Sequence, residues 1–261
     1  MTVVAGKSTF FSAFFNLLIV VLIGSGASAE GLSTYSIQPM QAVIKLENQT
    51  TQAFTITNHS QEPVTVALEA FERTDKNGKE RRQKTKEIIF DKARLDIAAG
   101  QSATVVSEYT GRKNIEIERS FRVITKQLSG HTSAKRSQNG FRFSYETSLF
   151  VARDKMVPDL RAEVHSKPTG GGLVIELDNR GTAHQPLSEV AFYVLGTSKP
   201  GPKKSEPEKP VELPLELDSP TKEMLGKQIL LPKSKRRLTL GLSAVETVIS
   251  PTSSIIVRST R

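Results

Sequence analysis

Short segments in which apolar and polar residues alternate, separated by turn residues, run through most of this chain. Residues 64–68, Val-Thr-Val-Ala-Leu, show the two-residue period clearly, and Asn77-Gly78 favours the tight turn of a hairpin. Seven such segments lie between residues 34 and 151, and seven more between residues 160 and 257. Beyond the first thirty residues, no stretch of helical period exceeds two turns. The pattern predicts an all-β fold of two tandem immunoglobulin-like β-sandwich domains.

Composition indicates where one domain ends and the next begins. Residues 153–159 are mainly polar and include Pro158, which is typical of a linker. We therefore assign residues 30–152 to an N-terminal immunoglobulin-like domain and residues 160–261 to a C-terminal β-sandwich domain. Residues 200–210 contain four prolines, which lack the N–H donors of a central strand, so we expect a long exposed loop there.

The first 29 residues have the features of a secretory signal peptide. Lys7 supplies a positive charge, residues 10–23 are mainly apolar, and Ala27-Ser28-Ala29 matches the small-residue site that signal peptidase cleaves. The apolar stretch is shorter than the roughly 20 residues needed to span a bilayer. We expect residues 1–29 to be removed during export, with a retained membrane anchor as the alternative.

The absence of cysteine excludes disulfide scaffolds, thiolate zinc sites and cysteine nucleophiles. An exported chain of 261 residues without disulfides depends on core size and sheet pairing for its stability. No two of the four histidines lie at the spacing of metal ligands, and no phosphate-binding loop or nucleophilic serine motif is present. The sequence therefore predicts a protein that is not an enzyme, with no catalytic residue, metal or cofactor.

Basic residues outnumber acidic residues by 36 to 27, which gives a formal charge of +9 and leaves nucleic acid, a membrane surface or an acidic protein group as partners. The most basic run, residues 79–86, has five bases and one acid but no aromatic side chain on which a base could stack. Export also separates the protein from nucleic acid. We therefore interpret this run as a solvated hairpin connection that discourages edge-to-edge aggregation, and we expect no nucleic-acid partner.

Residues 141–151 combine aromatic side chains with a strict two-residue period. One face of this segment carries the following residues: Phe141, Phe143, Tyr145, Thr147 and Leu149. One interpretation is the last core strand of the first domain. The other is an exposed edge strand that pairs with another protein's sheet, its backbone amides supplying affinity and its alternate side chains filling pockets.

Several short motifs, in a shared order, resemble the periplasmic pilus (fimbrial) assembly chaperones of the chaperone–usher pathway. Glu118-Arg-Ser-Phe-Arg122, for example, is similar to a stretch common in the non-classical branches of that family. The other matching segments are residues 55–58, 62–66, 93–102, 177–184 and 230–238. The resemblance extends over most of the chain after the signal peptide.

The resemblance implies two immunoglobulin-like domains and a soluble periplasmic chaperone that binds pilus or fimbrial subunits. Such a chaperone lends a strand to a subunit that lacks its own, and then delivers the subunit to an outer-membrane usher. Carried onto this chain, the donor strand is residues 141–151. The alternative is a structural or adhesive tandem β-sandwich protein of the cell surface.

The chain departs from the family at the site that binds the subunit's C-terminal carboxylate. The family uses an Arg on the first strand and a Lys on the last, whereas this chain has Gln41 and Ser148 near those places. We predict that bases on the adjacent strand substitute for them, and the candidates are Arg119, Arg122 and Lys126. Arg122 and Lys126 share a face because they are four residues apart in a strand. The alternative is that these bases simply face solvent.

Overall fold

The computed structural model describes residues 35–76, 78–128, 143–166, 172–197, 210–243 and 254–260. The predicted signal peptide and most of the predicted proline-rich loop lie outside these residues. Ser33–Arg261 forms one compact unit. It contains two hydrophobic cores, one built from residues before 153 and the other from residues after 159, which we call the cores of the first and second sandwich.

The first sandwich contains ten strands within the described ranges. They are β1 (Tyr35–Gln38), β2 (Gln41–Lys45), β3 (Thr51–Asn58), β4 (Val64–Lys76), β5 (Lys79–Lys84), β6 (Ile88–Phe90), β7 (Arg94–Ile97), β8 (Ser102–Tyr109), β9 (Arg119–Leu128) and β10 (Ser144–Ala152). One sheet has the order β1-β3-β8-β6. The other has the order β2-β10-β9-β4-β5, with β7 also paired to β4.

The sequence pattern predicts one strand over residues 34–46, and this prediction is wrong because the chain changes sheets at Pro39. β1 pairs with β3 in one sheet, whereas β2 pairs in parallel with β10 in the other. Pro39, which has no N–H to donate to a sheet, lies between the two strands. The crossing brings Gln41 beside Ser148, which positions the start of β2 at the site described below.

Aromatic side chains fill the core of the first sandwich. The largest fully buried ones are Tyr35, Phe54, Tyr109 and Phe121. The Tyr35 hydroxyl donates to the backbone oxygen of Thr125 across the sandwich, over 3.1 Å. Because Tyr35 lies on β1 and Thr125 on β9, this buried hydrogen bond links the two sheets.

The basic segment that begins at residue 79 forms a regular strand rather than only a connection. β5 pairs antiparallel with β4 and lies at the edge of its sheet, and all six of its residues are exposed. Charged side chains on an edge strand hinder its pairing with another chain, which is a recognised way to prevent aggregation. The sequence interpretation of a solvated hairpin therefore agrees with this location.

The second sandwich contains eight strands and one α-helix within the described ranges. They are β11 (Leu160–Ser166), β12 (Gly172–Asn179), β13 (Gln185–Pro186), β14 (Val190–Thr197), β15 (Pro210–Pro214), α1 (Ser219–Gly226), β16 (Ile229–Leu230), β17 (Ser234–Gly241) and β18 (Ile255–Ser259). The sheets have the orders β11-β12-β17, β15-β14-β18 and β13-β16. Leucine and isoleucine dominate the core, for example Leu173, Ile175 and Leu177 on β12.

Helix α1 was not expected from the sequence, although a start signal is present. The Asp218 carboxylate accepts a hydrogen bond from the Thr221 backbone N–H, over 2.8 Å, and Pro220 lies at the beginning of the first turn. Both residue types are favoured at these helix positions. At eight residues the helix is too short to give a clear period among the neighbouring strands. No helix in the described part of the chain is long and apolar enough to cross a membrane.

Candidate functional site

The part of the predicted aromatic face that the structure describes, from Phe143 onwards, lies on β10 or just before it and points into the first sandwich. Phe141 lies outside the described residues. Phe143 and Tyr145 are half-buried against the core, and the Tyr145 ring meets the Tyr35 ring edge-on at a centroid distance of 4.8 Å. Thr147 and Leu149 are completely buried. Of the predicted donor-strand side chains that are described, only Phe143 and Tyr145 therefore offer surface to a partner.

The backbone of β10 is paired on one side only in its first half. β9 pairs with β10 from Ser144 onwards, whereas β2 pairs with it only from Ser148. The Ser148 N–H donates to the Met40 oxygen on the β2 side, over 3.0 Å. Because backbone directions alternate along a strand, the N–H and C=O groups of Ser144 and Glu146 point to that same side. There no strand within the described ranges pairs with them.

The three bases predicted to bind a carboxylate lie in three different environments. Arg119 donates to Glu72 and Glu87 over 2.6 and 2.8 Å. Lys126 donates to Glu69 over 2.6 Å and is half-exposed. Of the three, only Arg122 lines the large cleft described next. The structure therefore brings one of the three predicted bases to this cleft and leaves the other two in ion pairs elsewhere.

A cleft of about 880 Å³ lies between the first and second sandwiches. The outward face of the β2-β10-β9-β4-β5 sheet lines one side, and residues of β13, β16 and β17 with the chain around them line the other. Both Gln41 and Ser148, the residues found where the chaperone family has its bases, face this cleft. They are neighbours in the parallel pairing of β2 with β10.

Two arginines converge on Ser148 at the floor of the cleft. Arg122 Nη1 donates to the Ser148 hydroxyl oxygen over 2.8 Å, and Arg73 Nη1 donates to the same oxygen over 3.4 Å. Arg73 is only 4% exposed. Its Nε lies 3.5 Å from Glu80 Oε2, but it has no hydrogen-bond partner among the described residues. The cleft therefore contains a buried guanidinium with an unused donor.

Glu80 and Arg82 on β5 complete what we call the arginine cluster: Arg73, Arg82, Arg122, Glu80 and Glu146. Arg122 donates to Glu80 with Nη2–Oε2 and Nε–Oε1 distances of 2.9 and 3.3 Å. Arg82 Nε donates to Glu80 over 2.6 Å. The other two nitrogens of Arg82 hold both oxygens of Glu146, over 2.6 and 2.7 Å. Three cations in this cluster thus share two carboxylates.

The pKa values in the cluster are consistent with a shortage of negative charge. Burial, together with the neighbouring Arg122 guanidinium, lowers the pKa of Arg73 to about 10. Burial raises the pKa of Glu80, but hydrogen bonds from Arg122 and Arg82 outweigh it and hold that pKa below its ordinary value. The hydrogen bond from Arg82 likewise lowers the pKa of Glu146. Both carboxyl groups are therefore ionised at neutral pH.

A buried polar contact joins the sandwiches beside the cluster. His184 Nδ1 lies 2.8 and 2.9 Å from the two Glu118 carboxylate oxygens, and the His184 backbone N–H donates to Oε1 of the same residue over 3.1 Å. The imidazole stacks on Phe150 of β10, with ring centroids 3.6 Å apart. Gln41 Nε2 lies 3.3 Å from His184 Nε2, on the cleft side. The contact links the end of β10 to the second sandwich.

The sequence interpretation missed Arg73, Glu80, Arg82 and Arg236 as cleft or cluster residues. Arg236 of β17 donates to Asp75 and Gln228 over 3.2 Å in each case. Its segment was noticed only as a family motif, and Arg73 stands between the polar residues Glu72 and Thr74, so the local sequence contained no signal for it. β4 and β9 are adjacent only in the folded sheet, so their bases meet across strands that are distant in sequence.

A comparison with solved structures finds proteins of similar fold. No sequence family and no curated protein matches the chain. The class 5 fimbriae chaperone CfaA matches with a TM-score of 0.51 and 10% identity, over 87% of this chain and 99% of that chain. This chain has the fold of the fimbrial chaperones. The predicted all-β class and the predicted likeness to that family in fold are confirmed.

Two further matches to this chaperone fold come from structures of complexes. The CsuC–CsuE chaperone–tip adhesion subunit complex of Acinetobacter baumannii gives a TM-score of 0.50 and 16% identity, over 79% of this chain and 90% of that chain. The SafA pilin–SafB chaperone complex of Salmonella enterica gives 0.50 and 12%, over 82% and 86%. At these identities the likeness concerns the fold alone, so the function rests on the chain's own residues.

Proposed function

We propose that this chain is a periplasmic chaperone that binds pilus or fimbrial subunits by lending them a strand and by holding their C-terminal carboxylate. The observation that carries the proposal is the half-paired strand β10, which runs from an open edge to an arginine cluster in the cleft. In this proposal the site binds a protein partner and does not catalyse a reaction. Delivery to an outer-membrane usher and removal of residues 1–29 during export belong to the proposal through the family resemblance.

The open edge of β10 supports strand donation. The outward backbone groups of Ser144 and Glu146 can pair with one strand of a partner sheet, which supplies affinity without regard to sequence. Tyr145 lies on this strand and Phe143 directly precedes it, and both side chains are half-exposed. Burial of an aromatic side chain contributes about 1.5–3 kcal/mol, so completing their burial under a partner adds a side-chain contribution to the backbone pairing.

The arginine cluster supports carboxylate binding at the end of that strand. Arg122 and Arg73 both reach Ser148 on β10, and the buried Nε of Arg73 lacks a hydrogen-bond partner within the described residues. A buried cation without its full set of partners is destabilising, and a carboxylate supplies both the charge and the acceptors. Guanidinium groups bind carboxylates through two parallel hydrogen bonds, which a lysine cannot do. We therefore assign the anchor to Arg122 and Arg73.

The first experiment tests strand donation. The chain is co-expressed with a fimbrial subunit encoded next to it, and the soluble one-to-one complex is purified from the periplasm. The double variant Phe143→Ser and Tyr145→Ser should reduce the yield of complex at least tenfold, because it removes the aromatic surface. The control variant carries Ile89→Ser and Val106→Ser, which replace two exposed apolar side chains of the other sheet.

Melting curves followed by circular dichroism check that both double variants remain folded. An unchanged yield from the Phe143 and Tyr145 variant contradicts strand donation by this face. A wild-type chain that protease removes from intact cells contradicts a periplasmic chaperone and favours the structural or adhesive alternative.

The second experiment tests the anchor with matched bases of β9. Arg122→Ala should weaken subunit binding by about tenfold or more, since it removes a charge-assisted pair worth about 1.5–3 kcal/mol. Lys126→Ala removes a base from the same face of the same strand, but away from the cleft, and should change affinity less than twofold. Binding is measured by titration calorimetry. Equal effects of the two substitutions contradict the anchor.

A further inference from the structure

Glu80 holds a special place in the arginine cluster because it touches all three arginines. Its Oε1 accepts from Arg82 and Arg122, and its Oε2 accepts from Arg122 and lies 3.5 Å from Arg73 Nε. Glu146, by contrast, is hydrogen-bonded only to Arg82 among the described residues, and Arg236 outside the cluster is paired with Asp75. Glu80 is therefore the internal carboxylate that the anchor arginines share.

The hydrogen bonds divide the guanidinium of Arg122 into two parts. Glu80 occupies the side edge formed by Nε and Nη2, and Ser148 accepts from Nη1. Nη1 and Nη2 each carry a second N–H, which these hydrogen bonds leave available for an incoming anion. Arg122 is partly exposed at the cleft, with 21% of its side-chain surface accessible. An anion bound there is a close neighbour of the negative charge of Glu80.

The charge count limits what that anion can be. The three arginines of the cluster exceed its two glutamates by one positive charge. A single carboxylate balances the cluster, whereas an anion with two negative charges leaves an excess charge near Glu80. Like charges so close to each other repel in a partly hydrated cleft, which weakens the binding of the doubly charged anion. Selectivity of this kind arises from a repulsive group placed against the wrong ligand.

We propose that Glu80 is the residue that restricts the anchor to a singly charged carboxylate and excludes doubly charged anions. The identity of the natural ligand, a subunit's C-terminus, rests on the proposed function. The preference for a singly charged anion does not rest on the proposed function, because it arises from the charges of the cluster itself. Glu80 thus acts through Arg73 and Arg122, as a positioning and selecting residue.

The experiment measures anion preference with small probes. Acetate and malonate, which carry one and two carboxylates, are titrated separately into the full mature chain at neutral pH and constant ionic strength. Their dissociation constants are read from the arginine Nε–H resonances in ¹⁵N NMR spectra. The wild-type chain should bind acetate at least as tightly as malonate. In Glu80→Gln, malonate should become the tighter ligand, with the ratio of dissociation constants shifting at least about fivefold.

Two control variants distinguish a role of Glu80 in anion selectivity from a general loss of structure. Glu69→Gln removes a carboxylate that also bridges two bases of the same sheet face, Lys84 and Lys126, but lies outside the cleft lining, and its preference should match the wild type. Glu80→Asp keeps the charge and should also keep the preference for acetate. If Glu80→Gln does not fold, a wild-type chain that prefers malonate still overturns the role of Glu80.

The outcomes distinguish this inference from the proposed function. If both anions bind at Arg122 but the preference is the same in wild type and Glu80→Gln, or if the wild type prefers malonate, the role of Glu80 is overturned and the anchor stands. If neither anion perturbs the Arg122 resonance in any variant, both the anchor and the role of Glu80 are overturned.

Discussion

Asn58 in the first sandwich and Asn179 in the second lie in equivalent places, at the ends of β3 and β12. Both are fully buried, and both use the side-chain amide to hold the chain that follows. Asn58 Oδ1 accepts from the Ser60 backbone N–H, and Asn179 Oδ1 accepts from that of Gly181. In both domains, a buried asparagine at the end of a core strand thus holds the turn that follows the strand.

The outward surfaces that the two sandwiches present to the cleft are different. The first sandwich presents a dense cluster of three arginines and two glutamates on one continuous sheet. The second presents isolated polar side chains, notably His184 and Arg236, each tied to a carboxylate of the first sandwich. This difference indicates that the charged groups available to a partner are concentrated in the first sandwich. The second sandwich forms the opposite wall and is held against it by buried polar contacts.

The strongest test of this comparison removes the contact between the sandwiches. Glu118→Ala leaves the His184 side chain and backbone N–H without their acceptor in a buried place. Unsatisfied buried groups of this kind cost about 1–3 kcal/mol each, so we expect a loss of about 3 kcal/mol in the free energy of unfolding. Urea denaturation followed by circular dichroism measures that loss.

The matched control for Glu118→Ala is Glu116→Ala, two residues earlier and exposed. It should change the free energy of unfolding by less than about 0.5 kcal/mol. Similar values for the two variants would show that the second sandwich is not held by this contact, and the division of roles described above would fail.

A smaller effect is expected from the two equivalent asparagines. Asn58 Nδ2 donates to the oxygens of Glu62, Ile97 and Ala98 over 2.8, 3.1 and 3.0 Å. Asn179 Nδ2 donates over 2.8 Å to Ala183, and over a long 3.5 Å to Leu230.

We therefore expect Asn58→Ala to cost about 2–3 kcal/mol and Asn179→Ala about 1–2 kcal/mol, because more backbone oxygens lose their donor in the first case. Denaturation midpoints of the two variants, each compared with the wild type, measure the difference. A greater cost at Asn179 would show that the second sandwich depends more on its closing asparagine than the hydrogen bonds indicate.

Several parts of the fold and the site followed from local pattern, and others did not. The two-residue period placed Phe143, Tyr145, Thr147 and Leu149 on one face, as observed. The period could not say whether that face points into the protein's own core, since this depends on the position of β1 and the Tyr35 ring. Nor could it reveal the break at Pro39, where the chain leaves one sheet for the other.

The arginine cluster shows the same limit for charged residues. Arg122 was a candidate from its motif and its strand face. Arg73 lies on β4, and Glu80 and Arg82 lie in a run that looks merely solvated. They meet Arg122 only because the sheet order is β9-β4-β5. The order of strands in a sheet cannot be predicted from the spacing of these residues in the sequence. Sites built across strands are therefore harder to predict than sites built from one motif.

The smallest expected effect concerns acid sensitivity, compared between one ion pair of each sandwich. The pKa of Glu146 in the first sandwich is lowered by its hydrogen bond with Arg82, and that of Glu176 in the second by its hydrogen bond with Lys235. A lowered pKa means that the unfolded chain binds more protons between the folded value and about 4.3, the unfolded value. Each pair therefore contributes stability that is fully present above that range and is lost as the pH falls through the folded pKa.

Glu146 accepts two short hydrogen bonds from the Arg82 guanidinium, whereas Glu176 accepts one longer hydrogen bond, over 3.1 Å, from Lys235. Glu146→Gln should consequently flatten the dependence of the melting temperature on pH between 7 and 3 more than Glu176→Gln does. Tyrosine fluorescence is a suitable signal, because Tyr35, Tyr109 and Tyr145 lie in the first sandwich and only Tyr193 lies in the second. A larger effect of Glu176→Gln would contradict this prediction. It would show that the ion pairs of the arginine cluster do not determine how the melting temperature depends on pH.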